Sequence, residues 1–170
     1  TIPMNDAGQA GDSTPADGIF TAIIPASAYN KGDMVRWFVL ASDTSNVQTR
    51  EPAYLLAENS PRYYGTVVQD PSVQTNLQVL KYFVQDTVAE GVENGPGTRC
   101  SVFYLDQFYD NVLIKHRGGN TTDGRKIHFN DGDDVMFDPN YYLVDEINLN
   151  EQGADPTYLR PYLSFETYEA

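Results

Sequence analysis

Residues 117–126 hold the arrangement richest in chemistry. Arg117, Gly118 and Gly119 open a small-residue loop, Asn120, Thr121 and Thr122 continue it, and Lys126 stands on the segment that follows. Glycines let a backbone approach a ligand closely, and N–H groups left open in such a loop meet anionic oxygens. A lysine on the next strand pairs with phosphate oxygens, and a carboxylate on a later helix, Glu166 here, holds such a lysine in place. On spacing alone Gly-Gly-Asn-Thr-Thr is also an ordinary hairpin loop, which is the commoner use of such a run.

Other reactive types are sparse. His116 and His128 are the only histidines, and two imidazoles without a third ligand make a poor metal centre. Asp6, Asp12 and Asp17, and the run 130–134, offer carboxylates without the 1-3-5-12 oxygen spacing of a calcium loop, so both read as solvated turns. Cys100, the single cysteine, has no partner for an internal disulfide and reads as a small apolar core residue. No Gly-x-Ser-x-Gly run supports a serine nucleophile. Trp37 and the 12 tyrosines read as packing residues before they read as a sugar-binding platform.

The elements that position these residues are mostly β. A chain of 170 residues allows one ordinary domain or two small ones, and 41% hydrophobic residues suffice for a core. With 24 acidic against 11 basic side chains the formal charge is −13. That field opposes nucleic acid and anionic lipid, and no apolar run approaches the roughly 20 residues of a membrane span. The first residues lack the basic start and apolar stretch of a secretion signal, and both ends read as cut from something longer. Alternation predicts strands over 18–25, 33–43 and 51–57, with Val35, Trp37 and Val39 on one face of the second and Met34, Arg36 and Phe38 on the other. Breakers at 58–65 predict a junction between two units. Beyond it come a strand over 77–84, a short helix within 86–97, and strands over 100–105 and 110–117 around a turn at 106–110. A strand over 125–129 follows, with Val112, Ile114 and His116 expected on one face of the sheet and Leu113, Lys115 and Arg117 on the other. A helix is expected from Asp155, an N-cap residue, with Pro156 at its first position and Pro161 interrupting it.

Several ordered motifs carry a resemblance. Asp110-Asn-Val-Leu-Ile-Lys-His-Arg-Gly-Gly-Asn-Thr-Thr122, Lys126-Ile-His-Phe129, the run from Phe137 to Asn150 and Asp155-Pro-Thr-Tyr-Leu-Arg160 resemble, in that order, the N-terminal part of the spore coat protein H (CotH) kinase family. The likeness covers residues 62–170. Residues 17–25 and 35–43 are similar to the Ig-like or fibronectin-like module that precedes this domain in large secreted bacterial proteins. The resemblance implies an α+β, mostly β chain. Residues 1–60 would be the C-terminal part of a β-sandwich, and 61–170 a truncated antiparallel-sheet N-lobe of an atypical protein-kinase-like fold with a C-terminal helix.

The same resemblance implies transfer of phosphate from ATP, with Mg or Mn, to serines of extracellular or coat proteins, at the bacterial surface or outside the cell. Carried over by position, Arg117, Gly118, Gly119, Asn120 and Thr121 would face the nucleotide, Lys126 would pair with its phosphates, and Glu166 would hold Lys126. The segment from Thr122 to Lys126 is short and lacks the Pro-Lys-Lys of many members, which leaves Arg125 as the alternative. The family's catalytic and metal-binding acids lie beyond Ala170, so this piece is expected to hold part of a nucleotide site and not to catalyse. A noncatalytic surface or adhesion module on the same scaffold is the alternative function.

Overall fold

In a computed structural model of the chain, residues 1–117, 124–136 and 142–150 are described. The expected helix from Asp155, with Glu166, and the loop residues Gly118, Gly119, Asn120 and Thr121 lie outside them. The described chain is mostly β: strands β1 (Met34–Trp37), β2 (Val39–Ser42), β3 (Gln48–Glu51), β4 (Tyr64–Val67) and β5 (Lys81–Val84) precede helix α1 (Thr87–Gly91), and β6 (Thr98–Tyr104), β7 (Gln107–His116), β8 (Arg125–His128) and β9 (Glu146–Leu149) follow it. β1 pairs with β4, β2 with β3, and the other five form an antiparallel sheet in the order β5-β6-β7-β8-β9. Two compact units divide the chain, Thr1–Val35 with Val67–Gln74, and Arg36–Thr66 with Thr75–Ala170. No helix among the described residues is long and apolar enough to cross a membrane.

The first unit is built from turns. The strand expected over 18–25 is reduced to a bridge in which Asn5 and Thr21 exchange both backbone hydrogen bonds at 2.9 Å, followed by a 3-10 turn at Ala26–Ala28. Pro25 has no N–H to extend a ladder. Asp6, Asp12 and Asp17 come together, their carboxylates within 4.8 Å of one another, and Asp12 is buried rather than solvated. The Asp12 carboxylate accepts from the N–H groups of Gly8 and Thr14, and that of Asp6 from Asp17 and Gly18. These acids therefore shape the turns by taking backbone donors the turns leave over.

In the second unit the strand expected over 33–43 breaks at Phe38. The Phe38 ring lies 5.9 Å from that of Tyr63 and takes the Arg50 guanidinium at 4.4 Å, and on either side of it the chain changes pairing partner. The strand expected over 51–57 is instead β3, which stops at Glu51 because Pro52 cannot donate to a ladder. The strand expected over 77–84 is confined to β5, and the short helix is α1, capped by the Asp86 carboxylate on the N–H groups of Val88 and Ala89.

The five-stranded sheet carries the core. Val102, Val112, Ile114, Ile127 and Val135 are fully buried, with Cys100, Tyr104, Tyr109, Phe129 and Ile147 around them. Cys100 is the core residue its sequence context predicts, and burial pushes its thiol pKa up to about 12. Strands β6 and β7 are joined by a two-residue turn, Leu105 and Asp106, both at positive φ (47° and 60°), rather than by the expected loop 106–110.

Residues 110 and 111 instead form a bulge. Cys100 pairs with Val112 and Val102 with Tyr109, so Asp110 and Asn111 stand opposite the single residue Ser101, with Asn111 at φ 56°. The buried Asp110 carboxylate accepts from Ser101 Oγ (2.6 Å) and from the N–H groups of Arg62 (2.9 Å) and Tyr63 (2.8 Å). Asn111 Nδ2 donates to the carbonyls of Ala57 (3.0 Å) and Ser60 (2.9 Å), and Arg99 reaches that of Glu58 (2.8 Å). Asp110→Ala leaves the buried Ser101 hydroxyl and the part-buried N–H groups of Arg62 and Tyr63 without their acceptor, and we expect a loss of about 3 kcal/mol in urea unfolding. Asp106→Ala, in the exposed turn, should cost less than about 1 kcal/mol; equal losses would refute the role of the bulge.

Candidate functional site

The register of β7, β8 and β9 sorts their side chains into two faces. Ile114, Ile127 and Ile147 align on the core face, with His116 opposite Arg125 one step along. On the other face Leu113, His128 and Glu146 form one row and Lys115, Lys126 and Asn148 the next. Burial follows this division, with Val112 and Ile114 buried and Leu113 and Lys115 half-buried, as the alternation predicts.

The sequence candidates separate accordingly. Arg117 stands just past the end of β7, where its N–H donates to the Gly124 carbonyl at 2.9 Å. Its guanidinium meets Asn150 Oδ1. Lys126 lies two residues beyond Gly124 on the polar face, and its Nζ is 2.9 Å from Glu146 Oε2. Arg125, the alternative to Lys126, projects to the core face and pairs with the buried Glu90 of α1. His116 and His128 also lie on opposite faces, so the described geometry joins no two imidazoles in one metal centre. The expected partner Glu166 is outside the described residues, and the carboxylate beside Lys126 within them is Glu146.

Glu146 stands beside two basic side chains. Its Oε2 is also 3.4 Å from His128 Nδ1. The Lys126 hydrogen bond is the main reason the Glu146 carboxyl lies below its usual range. Burial, then the charges of Lys115 and Lys126, push the His128 pKa down, with Glu146 and Asp145 opposing them. The buried Nε2 of His128 has no hydrogen-bond partner among the described residues. Beside the row, an open hollow of about 640 Å³ is bordered by Asp86, Gly97, Arg99 and Leu113.

The chain matches no family model, no curated protein and no solved structure. The site therefore stands on its own geometry. Lys115, His128 and Glu146 were not singled out for this site from the sequence. The alternation of Glu146, Ile147, Asn148 and Leu149 is a strand signal, but only the register shows which residues those side chains meet.

The two pKa directions give a signed expectation. A base whose folded pKa lies below its unfolded value contributes fully above the latter, near 6.5, and loses that contribution as pH falls through the window beneath it. A carboxyl with a lowered folded pKa loses its contribution as pH falls below its usual value of 4.5. Acidification should thus weaken the fold first through His128 and then through Glu146. In an NMR titration Lys115→Ala should raise the His128 pKa and Glu146→Gln should lower it further; shifts of the opposite sign would contradict the arrangement.

Proposed function

We propose that the polar face of β7, β8 and β9 is the phosphate-facing part of a nucleotide site in a CotH kinase-like domain. On this reading the whole protein is a secreted atypical kinase that moves phosphate from ATP, with Mg or Mn, to serines of extracellular or coat proteins. Residues 61–170 would then be the N-terminal part of that domain, preceded by the end of an Ig-like or fibronectin-like module. The observation that carries the proposal is the pairing of Lys126 with Lys115 on one face of the sheet, two residues beyond the hydrogen bond from Arg117 to Gly124. In a chain of net charge −13 such a face suits an anion.

Arg125 does not share the lysine's role on this reading, because its guanidinium faces Glu90 across the sheet. In the full-length protein Lys126→Ala should abolish ATP-dependent autophosphorylation while shifting stability by no more than about 0.5 kcal/mol, since a partly exposed ion pair contributes little. Undiminished phosphotransfer in that variant would remove Lys126 from the site. Loss of phosphotransfer together with a collapsed melt would make its role structural. A full-length protein that binds no ATP would instead favour the noncatalytic surface module.

A further inference from the structure

We infer that Lys115 and Lys126 act together as a two-point phosphate clamp, so that this face selects a polyphosphate over a single phosphate. The inference rests on the nucleotide reading above and names what that site discriminates. Lys115 and Lys126 are direct partners in the β7–β8 ladder and share one face. Side chains so opposed have Cβ atoms about 4.5–5.5 Å apart, and like charges there repel. A fold gains nothing from that pairing by itself; an anion lying across both ammonium groups turns the repulsion into attraction.

The surrounding charges support this. Glu146 is within ion-pair distance of Lys126, whereas among the described residues no carboxylate lies within 4.0 Å of the Lys115 ammonium. Arg117 follows two positions along, just past the end of β7, where its guanidinium meets Asn150 Oδ1. Lys115 is also held at its base. Gly97, at φ 78°, passes so close that a Cβ there would sit 2.7 Å from Lys115 Cβ and 2.3 Å from the Ile114 carbonyl oxygen. The stem of Lys115 thus leaves the sheet from a fixed point. A single phosphate carries at most about two negative charges, whereas a di- or triphosphate spreads its oxygens along the row and meets Lys115 and Lys126 at once.

The test is calorimetric titration of the 170-residue chain with ATP, ADP, AMP and inorganic tripolyphosphate, each with MgCl2. The expected order is ATP tighter than ADP and ADP tighter than AMP. Lys115→Ala should weaken ATP by about tenfold and compress that ladder, while Lys115→Arg keeps it. Lys115→Ala should also raise the urea midpoint of the free chain, because the repulsion is gone, a shift that a merely structural lysine would give with the opposite sign. ATP binding and a phosphate ladder unchanged in Lys115→Ala would overturn the clamp. Tripolyphosphate binding that depends on Lys115, with no nucleotide binding, would keep the clamp and defeat the nucleotide reading. Failure of the wild-type chain to bind tripolyphosphate or any nucleotide would overturn both.

Discussion

The buried carboxylate of Asp110 and the bulge it anchors govern the rest of the second unit. Tyr109 and Val112 are three residues apart, yet both point into the core, which a regular strand forbids. Only the extra residue opposite Ser101 reconciles them. Without it the outer half of β7 would turn over, placing Leu113 and Lys115 in the core and Val112 and Ile114 in water. The orientation of the charged face is therefore a consequence of the bulge. A polar pair inside a strand is costly, and here every group has a partner: three donors on the carboxylate, two carbonyls on the Asn111 amide, and Asn130 Nδ2 on the Asp110 carbonyl at 2.8 Å.

The bulge also decides which part of the sheet is covered. Its hydrogen bonds, with that of Arg99 to Glu58, draw the irregular segment 57–63 over the Ser101 end of the polar face. That segment is braced in turn by arginines on rings, Arg36 at 4.7 Å from the Tyr63 centroid and Arg62 at 5.5 Å from both Tyr54 and Tyr63. Gly65 admits the Phe108 ring, which a Cβ would meet at 2.3 Å. At the far end, from Leu113 to Arg117, nothing of this kind is attached among the described residues, and the cations remain half-exposed.

How much of this was legible depends on where the partners lie. The alternation in β6, β7 and β8 is local, so the sheet, its two faces and the buried Cys100 could be read from the sequence. Asp110 and Asn111 look locally like strand breakers, which is why a turn is expected at 106–110; the partners that make them a bulge lie about 50 residues away. Leu105 is a poor residue for a left-handed turn position, so the true turn carried no signal. Among the first 57 residues alternation overstated the strands, because a strand needs an unblocked neighbour and Pro25 and Pro52 cut the ladders short. For the candidate site, Arg117 and Lys126 were legible from the loop between them. Lys115 and Glu146 were not, since their roles follow from register.

Adjacent residues of β8 show how one strand carries two kinds of ion pair. Arg125 and Glu90 are both largely buried, so each needs the other: removing one strands a charge in the core. Lys126 and Glu146 meet where side chains remain about a quarter to a third exposed, and water competes for both. Exchange of the first pair would cost the fold, whereas the second can part with little loss. On the proposed reading, in which Lys126 leaves its carboxylate for an incoming anion, that lysine would have to sit in the second environment. The alternation of a single strand thus separates a structural cation from an available one, and the bulge 15 residues upstream of Arg125 sets which of the two faces water.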